Sequence, residues 1–475
     1  MTTQPTRPSH NSSEKDLTGL PQRRRLFQTL GKLNSSVVST RPDWVVVAIP
    51  TALAIKALYS PESGSLGLFV IAIFALVNGA LLVVAYLRPV EKTYSTRLGP
   101  FVVLCVASGI VITRPSGLHN AFTFFLVCLL AYRLAKTVDS RVIISSLIDG
   151  LGLYALVNVL FYAAGLRSRT EEWRLGLDSG GVDRIIYPFS NSVNLSPVLA
   201  AVYIVAVFFV IREPGRCRRL FRLACFAAAV SILWGGGTRV PAVVAFSLPI
   251  IAVAFPRVSR WLASAIVVLA SLSAILLPAL IESLRFVLQP ILSFVTNRSD
   301  SYASIGALNG RDYIWESALE FWEYEVDSPL HILFGYGLEG HYYSGASGAY
   351  VDIMAHVILR NPEKSIHLHN SFLQQLYDGG IAGWILLTVG LLFLAARSST
   401  RLRDLGTYGL AMTTMLTALL ICSMTEVLLS PNVNLIPFWV LIVLAGAVCQ
   451  VPATVCTSDG VPQGRPERAD VSGTT

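Results

Sequence analysis

Four short pieces between Gly310 and Gly383 hold the residue types that chemistry needs. They are Gly310-Arg311 with Trp315, Gly335-Tyr336-Gly337, His367-Leu368-His369-Asn370-Ser371, and Gly379-Gly380-Ile381-Ala382-Gly383. Five of the seven histidines lie between His331 and His369. His369 stands just before an apolar run starting at Phe372, so Asn370 or Ser371 is placed to cap a helix. A helix N-terminus disfavours positive charge and so favours the neutral imidazole, the form able to accept a proton near neutral pH. His367 is a rival for that role, and a purely structural histidine is the plain alternative. Arg239 follows Gly235-Gly236-Gly237-Thr238 at a turn between two apolar runs. A guanidinium can hold phosphate oxygens through two parallel hydrogen bonds, and the glycines would let a bulky ligand approach the backbone. The alternative is an arginine that snorkels to a lipid headgroup. Arg311, at a helix start, would add its charge to an anion site or simply pair with a loop carboxylate.

Other polar residues sit at the edges of apolar runs. Asn191 and Asn194, after Arg184 and Tyr187, open one such run as substrate contacts or as helix caps. Glu426, near the end of another, could pair with an arginine. Lys56 and Asp149 lie close enough to run ends to snorkel. A His-His pair without a carboxylate at ligand spacing makes no metal site. No Walker loop, dinucleotide fingerprint or zinc spacing is present, so no cofactor is expected.

These residues must be positioned by membrane helices. The 475 residues are 53% hydrophobic and 14% charged, with a mean hydropathy of +0.59. Apolar runs near 20 residues match the roughly 30 Å hydrocarbon core of a bilayer. The fold class expected is all-α, a polytopic membrane protein of about 12 transmembrane helices. The spans fall near 44–60, 65–87, 98–113, 118–135, 142–164, 191–211, 220–236, 240–255, 261–281, 371–396, 405–429 and 435–451. The net charge of +8 gathers in short alternate loops: Arg88, Lys92 and Arg97; Arg133, Lys136 and Arg141; Arg212 through Arg222; Arg257 and Arg260; Arg397, Arg401 and Arg403. That is the positive-inside pattern and implies membrane lipid, not nucleic acid, as the partner. It puts both termini in the cytosol.

Three regions follow. Residues 1–40 and 457–475 read as disordered cytosolic tails, and 41–456 as a multi-span membrane domain. No cleavable signal peptide is visible. The seven cysteines form no CxxC pair, and the long external loop holds none, so no disulfide framework is implied. That loop, 282–370, carries eleven Asp/Glu against five Lys/Arg. A smaller external segment, 165–190, mixes both signs. Within the large loop, Asp312 to Val326 reads as an amphipathic helix ended by Pro329. Ile314, Trp315, Ala318, Leu319 and Trp322 share one face, and Glu316, Glu320 and Glu323 another. The tryptophan face would suit the membrane surface or packing on other helices.

The chain resembles the O-antigen ligase/polymerase superfamily of bacterial membrane proteins. The pieces that carry the resemblance are Thr238-Arg239 after a glycine-rich span end, Gly310-Arg311 with Trp315, Gly335-Tyr336-Gly337, and His369-Asn370-Ser371 followed by Gly379 to Gly383. The resemblance is clearest over 231–256 and 305–396. The more usual Ser-Arg of the family reads Thr238-Arg239 here, and His367 and His341 are extra histidines near His369. The resemblance implies transfer of a polyprenyl-diphosphate-linked glycan to an acceptor hydroxyl, on a further glycan or on a lipid, without nucleotide sugar or essential metal. It implies Arg239, Arg311 and His369 as catalytic residues, at the outer face of the bacterial cytoplasmic membrane. Arg184, Asn191, Tyr336, His367 and Asn370 are the candidate substrate contacts, with Tyr336, Tyr342 and Tyr343 stacking on sugars or serving as interface aromatics. A secondary transporter or flippase of lipid-linked glycans is the alternative, although charges here avoid the midplane. A glycosyltransferase class that uses an acidic residue in the first external loop would have only Glu62 there. A non-catalytic scaffold is the remaining reading. Polymerase and ligase share donor and leaving group, so sequence does not separate them.

Overall fold

Every one of the twelve apolar runs contains helix in the computed structural model, which describes residues 41–55, 65–87, 95–96, 99–111, 118–168, 184–190, 192–212, 215–280, 283, 310–353, 362–430 and 435–451. The two tails, Lys56, Glu62, Asn191 and most of 165–190 lie outside the described residues. In chain order the main helices are α1 Trp44–Ala54, α2 Ser65–Leu87, α3 Gly99–Val111, α4 Leu118–Thr137, α5 Ser140–Ala163, α6 Leu195–Val210, α7 Arg216–Gly236, α8 Arg239–Ala254 and α9 Pro256–Ser271. The loop region adds α10 Arg311–Tyr324 and α11 Pro329–Phe334, and the chain closes with α12 Ser371–Leu405, α13 Thr407–Ser423 and α14 Leu435–Cys449. One two-residue antiparallel pairing, Ser95–Thr96 with Gln450–Val451, ties the approach to α3 to the end of α14.

Among the described residues, α5, α7 and α12 are each long and apolar enough to cross a bilayer alone. The expected single span over 261–281 is instead a bent pair, Arg257–Ser271 and Ser273–Leu280, at 94°. At the break, Ser271 Oγ and Ser273 Oγ donate back to the carbonyls of Val268 and Ala270 at 2.8 and 2.7 Å. Seven further apolar helices or helix segments among the described residues, Ala72–Leu87 of α2 included, run 10–17 residues.

Burial separates the centre of the bundle from its rim. Almost all of α6, α13 and α14 is buried, whereas α2, α7 and α9 expose Leu76, Trp234 and Trp261. Large apolar side chains facing outward on helices fit contact with lipid. Helix α12 packs along α3, α9 and α13, and α13 along α6 and α8. At the end of the bundle away from the loop region, Asp149 does not snorkel. It is buried at 4% exposure and takes Arg218 Nη2 at 2.6 Å and Arg222 Nε at 2.7 Å. Ser145 Oγ accepts from both arginines at 2.7 and 2.8 Å. Two of the arginines read as a basic loop therefore lock α7 to α5.

The described part of the loop forms a layer with its own small core. Trp315, Ile314 and Ala318 of α10 pack with Tyr350, Ile366, Leu368, Leu373 and Tyr377. The tryptophan face of α10 is thus packed on protein, while Glu316, Glu320 and Glu323 are exposed. Helix α10 ends at Tyr324, before Pro329, which instead starts α11 at its first turn, where a missing N–H has no cost.

The layer docks on a break in α12. Gly380 has φ +65°, ψ −168° inside that helix, which frees two carbonyls of the preceding turn. Tyr336 N–H donates to Tyr377 O at 2.8 Å and Gly337 N–H to Asp378 O at 2.9 Å. The approach is backbone to backbone. A Cβ on Gly335, whose φ is +71°, would lie 2.5 Å from Gly380 N.

Candidate active site

Two anchors fix the start of α12. Asn370 is its N-cap, with Oδ1 accepting from Phe372 N and Leu373 N at 3.0 Å each. Its Nδ2 donates to Ser273 Oγ at 2.7 Å and to Met424 O at 3.0 Å. The side chain is fully buried and its hydrogen-bonding capacity is taken by protein, so it holds α12 against the end of α13. Ser371 Oγ donates to Glu426 O at 2.8 Å and accepts from Leu428 N at 2.8 Å. The segment after α13 is thereby pinned to the residues beside His369.

That pinning brings together side chains far apart in the chain. Glu426 pairs through Oε1 with Arg311 and accepts from Asn194 Nδ2 at 2.5 Å. Its Oε2 lies 3.4 Å from His369 Nδ1. Arg311 is the first residue of α10, after Gly310 at φ +84°. His369 is 26% exposed and the Glu426 side chain 12%, so the imidazole is the more accessible of the two. His369 has φ +49°, a value uncommon outside glycine. Its neighbour Leu368 is held on both sides: Trp315 Nε1 donates to its carbonyl at 2.7 Å, and its N–H donates to Gln374 Oε1 at 3.5 Å. Trp315 is one turn from Arg311, so a single buried indole ties the arginine helix to the histidine loop.

Arg239 begins α8, half-buried, within electrostatic reach of Arg311. The glycines before it serve close packing. Ile185 N–H donates to Gly235 O at 2.9 Å, and a Cβ on Gly236 would lie 2.5 Å from Pro197 Cγ. Gly237, at φ +55°, makes the left-handed turn into α8, with the Arg184 stem against it. Arg184 therefore sits beside the Arg239 turn.

The rival histidines turn into the loop layer, with His367 still within electrostatic reach of His369 and Glu426. The His367 ring meets His341 edge-on, with centroids 5.1 Å apart, and its Nδ1 is buried without a hydrogen-bond partner among the described residues. Burial pushes the His367 pKa down to about 4, with His369 adding to the effect. Burial, then His367, holds His341 well below the ordinary imidazole range. His341 Nδ1 faces Gln374 Nε2 at 3.1 Å, and that amide also donates to Asp378 Oδ1 at 2.7 Å. Both rings are neutral fixtures of the loop layer. Tyr336 stacks on His331 at 4.2 Å and docks the layer on α12. Among the described residues no contact joins it to Arg311, His369 or Glu426. Nor do three His, Cys, Asp or Glu side chains there group as a metal site.

Residues 223–388 match the family model for O-antigen ligase. Over that stretch the chain is O-antigen ligase-like. No curated protein matches the chain. The O-antigen ligase match contains Arg239, Arg311 and His369 but stops short of Glu426 and begins after Asn194. Asn194 stands at the N-terminus of α6, where capping is one of its two readings. It makes no side-chain cap bond and turns to Glu426 instead. Only the polarity of these two at run ends pointed to them in the sequence, since their meeting depends on how α6, α12 and α13 converge.

Proposed function

We propose that this protein transfers a polyprenyl-diphosphate-linked glycan to an acceptor hydroxyl at the outer face of the bacterial cytoplasmic membrane. The observation that carries the reading is the meeting of Arg311 and His369, both inside the O-antigen ligase-like segment, with Glu426, and Arg239 within electrostatic reach of Arg311. Two guanidiniums suit the diphosphate, which gains charge as the sugar–phosphate bond breaks. His369 takes the proton of the attacking hydroxyl. With Nδ1–H donating to Glu426, the basic nitrogen is Nε2, the one left for the acceptor. Arg184, whose stem lies against Gly237 beside the Arg239 turn, would extend the anion site. Twelve crossings with both termini cytosolic would put the loop layer and all these groups on the outer side, as the loop charges suggest.

Deleting the gene and profiling the glycan tests the reading and separates its two forms. Loss of long chains with single repeats still attached identifies a polymerase. Lipid-linked polymer accumulating beside bare acceptor identifies a ligase. An unchanged glycan contradicts both.

A further inference from the structure

The Arg311–Glu426 pair poses a problem for the reading above. An arginine that is to bind a diphosphate is already engaged by a carboxylate, and the carboxylate that is to support the base is drawn toward the arginine. Glu426 Oε1 carries both strong contacts, from Arg311 and from Asn194 at 2.5 Å. Oε2 reaches His369 Nδ1 only at 3.4 Å, at the long edge of hydrogen bonding. We propose that Glu426 changes partner during turnover, holding Arg311 before the donor binds and passing to His369 when the donor diphosphate takes Arg311. The proposal rests on the transferase reading and adds a coupling between donor binding and activation of the base.

The chemistry sets the direction of the exchange. A diphosphate offers more charge and more acceptor oxygens to a guanidinium fork than one carboxylate does. Before donor binding, Glu426 offsets the repulsion between Arg311 and nearby Arg239. Once the diphosphate supplies that charge, Glu426 and the donor repel one another and the carboxylate gains by moving onto His369. The acceptor O–H bond then breaks, and its proton goes to His369 Nε2. The acceptor oxygen bonds to the sugar carbon as the bond from that carbon to phosphate breaks. The electron pair leaves with the diphosphate, between Arg239 and Arg311. The imidazolium formed is stabilised by Glu426. Departure of the diphosphate returns Glu426 to Arg311, and His369 gives its proton to water. A base supported only with donor in place favours donor-first binding. Glu426 here is a positioning residue, because it acts through Arg311 and His369.

The exchange predicts opposite effects on binding and turnover. In full-length protein in lipid, Glu426→Gln removes the competitor for Arg311, so polyprenyl diphosphate, the leaving group, binds about fivefold more tightly. The same change removes the counter-charge of the imidazolium, so kcat falls about 10²-fold. A lesion that only loosens the site lowers kcat with equal or weaker binding. Glu426→Asp keeps the charge on a shorter arm: binding at least as tight as wild type, with kcat reduced less than in Glu426→Gln, supports the exchange should Glu426→Gln fail to insert. Weaker or unchanged polyprenyl diphosphate binding in the inserted variants, or an unchanged kcat in Glu426→Gln, overturns it while leaving the transferase reading intact. A wild-type protein that transfers no glycan from a polyprenyl diphosphate overturns both.

Discussion

His369 faces Glu426 because its backbone takes a left-handed φ of +49°, a conformation that costs a non-glycine residue on the order of 1–3 kcal/mol. Trp315, Gln374 and Asn370 hold the neighbouring residues and so fix this turn. The same local order separates His369 from His367, two residues away, which turns into the loop layer. That burial has a consequence for pH. His367 has a folded pKa of about 4 against about 6.5 when unfolded. Between those values the unfolded chain binds a proton that the folded chain does not. The stability contribution is therefore full above about pH 6.5 and is lost as pH falls toward 4. His341, lowered by the same cause, acts with the same sign. We expect thermal unfolding in lipid or detergent to show a loss on the order of 1–3 kcal/mol from pH 7 to pH 4 from His367, and His367→Asn to reduce that slope. An identical pH profile for the variant would contradict the buried neutral imidazole.

At the scale of elements, glycine positions decide where α12 breaks and the loop layer docks. Gly335→Ala would place a methyl 2.5 Å from Gly380 N at a residue with φ +71°, so the loop layer cannot seat on α12. The expected result is a normally inserted protein whose layer is opened to protease, destabilised by about 2 kcal/mol or more, with most activity lost. Wild-type protease resistance would contradict the docking. The helices were legible because their signals are local: apolar runs, the Asn370 cap, and the division of α10 into tryptophan and glutamate faces. The Gly335-Tyr336-Gly337 and Gly379-to-Gly383 pieces were visible but not their purpose. They are the two halves of one backbone-to-backbone contact, which no single segment discloses. The bend at Ser271–Ser273 also escaped, because serines within an apolar run are ordinary. Asp149 with Arg218 and Arg222 escaped because pairing between α5 and α7 is invisible to a loop-charge count.

At the scale of the whole molecule, the account needs the loop layer outside the cytosol. Ser347 is buried and would be a poor reporter. Gly348 is exposed, and a Cβ there meets no atom within 4 Å. A cysteine placed by Gly348→Cys, in a background whose exposed Cys217 is replaced, should react with a membrane-impermeant thiol reagent in intact spheroplasts. Reaction only after permeabilisation would reverse the orientation. The central claim is that Arg239 and Arg311 bind the diphosphate while His369 moves the proton. The direct measurement is transfer in vitro from a purified polyprenyl-diphosphate glycan, with variant proteins matched for level and insertion. Arg239→Ala and Arg311→Ala should each lose about 10²–10³ in rate, and Arg→Lys at either position should still be damaged, since a point charge cannot reproduce the two-point hold. His369→Ala should lose about 10²–10⁴ and His367→Ala much less. Near-normal transfer by both arginine→Ala variants, or an active His369→Ala beside a dead His367→Ala, would contradict the account.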